Sequence, residues 1–147
     1  MSVNVSQLKN FSQRLESLTG EEKDKFIADT CNEIGNRVLA KTIKNTRERI
    51  YQKPEPKGYK RTQNFLRGWA QKPVNKKGSK FVSEVFNDVG YSTYLEYGHR
   101  TRDHKGWVEG KFMLTDATFD VIHQDNPEMA KKLKQYVREK VNGGNRN

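Results

Sequence analysis

The segment from Val89 to Leu114 constrains the fold most, because aromatic residues and glycines are concentrated in it. It contains three of the six tyrosines, one of the two tryptophans, two of the three histidines and four of the eleven glycines. Tyr91, Tyr94 and Leu95 stand at i, i+3 and i+4, which places them on one face of a helix. Gly98 follows where such a helix needs a residue that accepts a positive φ. The segment therefore predicts a short packing helix that ends at a glycine.

The composition predicts a lean core. Leu, Ile, Val and Phe supply 31 of the 147 residues, or 21%, which is close to the composition at which a charged chain stays unfolded. The length suits one domain, so we expect a single domain over 1–147, with 1–5 and 143–147 loose. Because so small a core leaves apolar surface uncovered, we expect further burial against other subunits.

Compartment signals favour a protein that is assembled in the cytoplasm. The single cysteine, Cys31, excludes an internal disulfide, and it lies on a helical apolar stripe, so we interpret it as a small buried hydrophobe. The N-terminus has no apolar run typical of a signal peptide. No window of about 18 apolar residues predicts a membrane span.

Hydrophobic periodicity predicts an α+β fold. It has N-terminal helices including one long helix, a small antiparallel sheet with a basic hairpin, a short tyrosine-rich helix and two C-terminal helices. Helices are predicted over 6–18, from a capping box at 19–22 to about 51, over 91–97, 112–124 and 126–141, and strands over 65–71 and 80–87. Gly35 inside the long helix is either a site of close approach or a tolerated defect.

Positive charge is concentrated in one segment. Lys53–Lys80 carries nine basic residues and one acid, which gives +8 of the total net charge of +10. We interpret it as a basic hairpin arm with a mobile tip at 74–79. Three roles stay open: a lysine-covered hairpin that protects a sheet edge, a partner contact, or a DNA contact in which rings interleaved with the lysines stack on bases. Without a helix-turn-helix or zinc signature, sequence-specific reading of DNA is not expected.

The histidine-containing loop offers weak signals for catalysis. His99, Asp103 and His104 resemble a metal-ligand set, but neighbouring cations disfavour a divalent ion. Glu96 and His99 resemble an acid–base pair, a combination that is common by chance. The sequence shows no phosphate-binding glycine loop and no nucleophile elbow. We therefore expect no enzyme, no catalytic residue, no metal site and no cofactor.

Three blocks in order carry a family resemblance. Tyr94–Arg100 reads aromatic, aliphatic, Glu, aromatic, Gly, His, Arg; Gly106–Leu114 ends in the apolar triplet that opens a helix; Thr62–Arg67 looks like a turn in which Gln63 replaces the usual glycine. Together they resemble a phage morphogenesis family, the small tail-component or head–tail joining proteins typified by the tenth gene product of the lambdoid phage Hong Kong ninety-seven. The resemblance covers roughly 20–140.

The resemblance implies a tail-completion, neck or collar component of a phage or phage-tail-like particle. Such a protein forms a ring, here expected to contain six subunits, and joins the tail tube to the connector. The implied partners are the chain itself, the tail tube or tail terminator, the connector, adaptor or portal, and the DNA backbone in the channel, with no membrane. The alternative is a non-specific nucleic-acid-binding basic domain.

The resemblance also assigns roles to residues. It implies a structural role for Glu96, for which we expect an ion pair with Arg100 and a hydrogen bond from a neighbouring loop. The signature residues expected in the core are Tyr94, Leu95, Glu96, Tyr97, Gly98, Trp107, Phe112, Met113 and Leu114, with Tyr91, Ile34 and Val38 against them. Independently of the resemblance, the concentration of positive charge predicts assembly or partner contacts at Lys72, Lys76, Lys77, Arg100 and Arg102.

Overall fold

The computed structural model describes residues 20–142, apart from several side chains after residue 124. In chain order the elements are α1 (Gly20–Thr46), a π-helical turn (Arg47–Tyr51), α2 (Asn64–Arg67), β1 (Trp69–Lys77), β2 (Lys80–Asn87), α3 (Ser92–Tyr97), β3 (Gly98–Arg100), β4 (Trp107–Glu109) and α4 (Met113–Asn142). This confirms the α+β class. The predicted helix over 6–18, the cap at Thr19 and the loose ends lie outside the described residues.

The chain divides into two compact units. One is Ala28–His123, which contains both sheets, and the other combines the described residues 20–27 with 124–142. Within the second unit, the ring of Phe26 stacks on Tyr136 with centroids 4.0 Å apart. The Tyr136 hydroxyl also donates to the carbonyl of Glu22 at 3.3 Å. The single domain stays a prediction.

Strand β1 pairs with β2 in antiparallel register, from Trp69 opposite Asn87 to Lys77 opposite Lys80. The limits of β2 are those predicted, but the predicted strand over 65–71 is wrong in its first part, because 64–67 forms a helical turn. The predicted long tip at 74–79 is also wrong. Pairing continues to Lys77, since the bulge between 72 and 75 accommodates Pro73 and its missing N–H. The arm is thus the hairpin 69–87, preceded by a loop.

Gly35 is the place where the β1–β2 hairpin rests on α1. A Cβ at this position would lie 2.2 Å from Nε2 of Gln71 and 2.4 Å from Oγ of Ser83. The Gln71 amide donates to the Asn32 carbonyl at 3.2 Å and to the Ser83 hydroxyl at 2.8 Å. The glycine therefore permits close approach of the sheet, which decides between the two interpretations of its sequence position.

A second hairpin, β3–β4, forms where the sequence predicted the histidine-containing loop. Gly98 pairs with Glu109, and Arg100 pairs with Trp107. Each strand has three residues, which is too short to show the alternation from which strands are predicted.

The predicted break between two C-terminal helices is absent from the described backbone, because α4 continues through Pro127. Proline removes one N–H donor from the helix interior, and the turns on either side keep their own hydrogen bonds, so the loss is local. None of the helices within 20–142 has both the length and the apolar character that crossing a membrane requires.

The core of the 28–123 unit is small. Its centre consists of Phe65, Trp69 and Met113. The side chains packed against this centre are Leu39, Ile43, Ile50, Val85, Val89, Leu95 and Leu114. Val38 is also buried. The core positions predicted for Met113, Leu95, Leu114 and Val38 agree with this arrangement.

Four other signature residues were wrongly predicted to be buried. The exposed fractions are 59% for Tyr94, 57% for Tyr97, 59% for Trp107 and 42% for Phe112; Tyr91 is also 45% exposed. For Tyr94 and Tyr97 the reason is that α3 turns Leu95 and Glu96 inward instead of its tyrosines. A buried carboxylate is stable only with strong partners, and the start of α4 supplies them, as described below.

Truncation of Leu95 to alanine is expected to lower the free energy of unfolding by about 2 kcal/mol. This is the lower end of the usual range for leucine, because Leu95 is only partly buried against the core. Chemical denaturation measures the change. Tyr94→Ala is the control, since this neighbouring ring is exposed and its loss should cost less than about 1 kcal/mol. If both variants lose the same free energy of unfolding, Leu95 does not pack against the core as the structure shows.

Candidate assembly surfaces

Glu96 joins α3 to the start of α4. Its side chain is only 5% exposed, and its carboxylate accepts the backbone N–H groups of Leu114 at 3.1 Å and Thr115 at 2.8 Å. These amides belong to the first turn of α4, where a helix has unpaired donors and favours a negative charge. A hydrogen bond to Glu96 was predicted from a neighbouring loop, and the structure instead has two from the first turn of a helix. The predicted ion pair with Arg100 is wrong, because the carboxylate faces these amides.

Two residues of the long N-terminal helical segment hold the same turn, and sequence reasoning missed both. The Asn45 amide donates to the buried carbonyl of Met113 at 3.0 Å. Arg49 donates to the carbonyl of Lys111 at 2.6 Å and forms an ion pair with Asp116 at 2.6 Å. The only sequence signal was their polarity at the end of an apolar stripe. These contacts hold a turn in which Phe112 has a φ of 48°.

Two glycines let the backbone of α3 lie against the β3–β4 hairpin. Gly98 has a φ of 88°, and a Cβ there would lie 2.4 Å from the carbonyl oxygen of Val108. A Cβ on Gly110 would lie 2.2 Å from the carbonyl oxygen of Glu96. Both clashes are with backbone atoms, so no side-chain rotation relieves them. The backbones around Gly98 and Gly110 are therefore in close contact, and we call the segment 96–110 the frame.

Four exposed aromatic side chains lie on this frame or within two residues of it, and we call them the aromatic surface: Tyr94, Tyr97, Trp107 and Phe112. The rings of Tyr97 and Phe112 meet edge to face with centroids 6.5 Å apart, and Tyr94 meets His99 at 5.7 Å. Large exposed apolar side chains that lie together mark interaction sites, and tyrosine and tryptophan dominate the binding energy of interfaces.

A second apolar feature is a groove of about 470 Å³ between α1, β2 and α4. Its lining residues are Cys31, Ile34, Gly35, Val38, Phe81, Val82, Ser83, Glu84, Val85, Leu114, Thr118 and Ile122. Cys31 is partly buried in its wall, in agreement with a packing role. The exposed side chains of Val82 and Ile122 lie at the groove.

The predicted contact residues lie on two separate hairpins. Lys72, Lys76 and Lys77 are on β1, whereas Arg100 and Arg102 are in the β3–β4 hairpin. On the arm, Lys72 forms an exposed ion pair with Glu84 at 2.9 Å. Its ammonium also lies 5.1 Å from the centroid of the Phe86 ring, so this lysine is held in place by the hairpin.

In the loop before the arm, the side chain of Arg61 forms hydrogen bonds within the loop itself. The Arg61 guanidinium donates to the carbonyls of Lys53 at 2.5 Å and Pro54 at 2.9 Å. The hydroxyl of Tyr51 donates to the carbonyl of Thr62 at 3.0 Å, and burial raises the pKa of this tyrosine. These bonds fasten the loop to the end of the long helical segment.

The carboxylate of Asp103 accepts hydrogen bonds from within the β3–β4 turn and stabilises it. The hydroxyl of Thr101 and then the backbone N–H of Lys105 donate to the carboxylate of Asp103, and these hydrogen bonds lower its pKa. Among the residues that the structure describes, no three histidine, cysteine or acidic side chains form a group suited to a metal ion.

The structure is thus that of a small α+β protein with exposed aromatic rings near the β3–β4 hairpin, an apolar groove and a basic arm. A phage family described as "Bacteriophage HK97-gp10, putative tail-component" matches residues 9–98, more than half of the chain. The chain belongs to this family of phage tail components. The matched region contains the arm and the signature as far as Gly98, and it ends before Trp107. No curated protein and no solved structure shows significant similarity to the chain.

Proposed function

We propose that the chain is a tail-completion, neck or collar component that forms a ring at the head–tail junction or the tail end. In this role it joins the tail tube or tail terminator to the connector, adaptor or portal. The observation that carries the proposal is the aromatic surface, because large exposed aromatic side chains on neighbouring segments are typical of an interaction site.

A closed ring needs two different complementary patches on each subunit, since every interface joins the front of one copy to the back of the next. The aromatic surface provides one apolar patch, and the groove at Val82 and Ile122 provides another. The small core supports the same conclusion, because much apolar area stays uncovered in the single chain. We propose six copies per ring, in a virion or phage-tail-like particle assembled in the host cytoplasm.

The proposed role is structural and not enzymatic. Glu96, the acidic residue of the family signature, is occupied by the amides of α4. A general base must instead face a substrate. The alternative function, a non-specific nucleic-acid-binding domain, is favoured by the basic arm alone. Binding to any duplex without incorporation into particles would support that alternative.

The double variant Tyr97→Ser, Trp107→Ser is expected to fold and to abolish particle assembly. Both side chains are more than half exposed, so the stability should change by less than about 1 kcal/mol, whereas loss of two interface anchors can cost about 2 kcal/mol or more each. The measurement is complementation of a phage that lacks this gene, with copies per particle counted by quantitative mass spectrometry.

The matched control is Tyr59→Ser. This tyrosine is 61% exposed but lies outside the aromatic surface, so the variant should complement normally. Normal complementation by the double variant would remove the aromatic surface from the proposal. A single copy per wild-type particle would end the ring proposal itself.

A further inference from the structure

The two faces of the β1–β2 arm differ in chemistry. Directly paired residues share a face of a sheet, so the register places Lys72 with Glu84, and Lys77 with Lys80, on one face. The opposite face carries Gln71 and Ser83, which rest on α1 at Gly35. Lys72, Lys77 and Lys80 therefore lie on the face that does not rest on Gly35, whereas Lys76, which pairs with Phe81, lies on the other face at the end of the arm.

The end of the arm is cationic and lacks the features of a protein-binding surface. From Lys76 to Lys80 it contains three lysines, a glycine and a serine, all exposed, with no acid, arginine or aromatic residue. Interfaces between proteins are enriched in aromatic residues and arginine and depleted in lysine. The aromatic surface has that composition, whereas the end of the arm has the opposite one. Lysine ammoniums act as point charges that suit phosphate groups.

The rings of the arm are not placed to stack on bases. The Lys76 ammonium lies 5.5 Å from the centroid of Phe81, and Lys72 covers Phe86, and both rings are partly buried. Binding of single strands depends on exposed rings that stack on unpaired bases. Contacts from lysine alone favour the backbone of a duplex, where phosphates are dense and bases stay paired.

We propose that the arm binds the phosphate backbone of duplex DNA without sequence preference, through Lys76, Lys77 and Lys80. This inference rests on the proposed function in one respect: the DNA would be the phage genome, which passes through a head–tail junction. The binding itself is a property of the isolated chain, so it is measured separately from ring formation.

The test is fluorescence anisotropy of a labelled random-sequence duplex with the purified chain between about 50 and 200 mM salt. The slope of log affinity against log salt is negative. The variant Lys76→Gln, Lys77→Gln, Lys80→Gln should reduce its magnitude by about 2–3, since each phosphate contact contributes about 0.9. The control, Lys131→Gln, Lys134→Gln, Arg138→Gln, removes the same charge from exposed positions of α4 and should keep the parental slope.

Each outcome decides for or against the proposal. Equal slopes for the two triple variants would show that only net charge matters. Tighter binding to a single strand of the same length would exclude the duplex, and equally tight binding to polyglutamate would make an acidic protein the partner. Circular dichroism confirms that the variants are folded. Loss of DNA binding leaves ring assembly to be judged by complementation, so the two proposals fail independently.

Discussion

Replacing Gly98 with alanine is expected to lower the free energy of unfolding by about 3–5 kcal/mol, because two penalties combine. The first is conformational: a φ of 88° with a ψ of 175° is accessible almost only to glycine. The second is steric, since the new Cβ would lie 2.4 Å from the carbonyl oxygen of Val108 and 2.8 Å from the amide nitrogen of Gly110. Relief requires that β3 and β4 separate.

Gly90→Ala is the matched control for this experiment. A Cβ at Gly90 meets no atom within 4 Å. The free energy of unfolding of this variant should therefore lie within about 0.5 kcal/mol of that of the parent. Chemical denaturation of both variants measures the difference. If Gly98→Ala is as stable as Gly90→Ala, the β3–β4 hairpin does not lie against α3 as described here.

Replacing Glu96 with alanine is expected to cost about 2–4 kcal/mol, because a charged acceptor of two helix amides is lost and the amides stay buried. The affected donors are the N–H groups of Leu114 and Thr115. A loss of this size is a large part of the stability of a small domain. Denaturant unfolding gives the change in stability, and amide hydrogen exchange at 114 and 115 shows whether the start of α4 opens.

Glu96→Gln separates charge from hydrogen bonding. Glutamine keeps one oxygen acceptor of nearly the same reach, so it should restore about half of the loss seen for alanine. If alanine and glutamine are equally destabilising, the charge on the helix terminus carries the whole effect. If neither changes stability, Glu96 has some other role, and the structural assignment of this signature residue fails.

Several residues of the family signature thus hold the backbone around α3 and β3 in position, and fewer of them fill the core than the sequence predicted. Gly98 and Glu96 fix the positions of α3, β3 and the start of α4, and the signature aromatics project from that frame to solvent. Interface anchors bind best when rigid elements hold them, because less freedom is lost on association. The same residues therefore support both the fold of the subunit and the proposed contact with its neighbour.

The sequence by itself determined the features that depend on local physics. The α+β class, the limits of β2, the long N-terminal helix and the end of α3 at Gly98 all follow from periodicity and from backbone preferences. The order of the signature blocks also identified the family. Each of these signals lies within one short segment or in the order of such segments along the chain, so no knowledge of distant contacts is needed to read them.

Only the tertiary structure decided which side of α3 faces inward. Periodicity favours burial of Tyr94 together with Leu95, but the amides at the start of α4 draw Glu96 inside instead. Asn45 and Arg49 complete that arrangement from residues more than 60 positions away in the sequence. Burial of a polar group depends on partners that the fold brings to it, and a pattern within one segment contains no information about them.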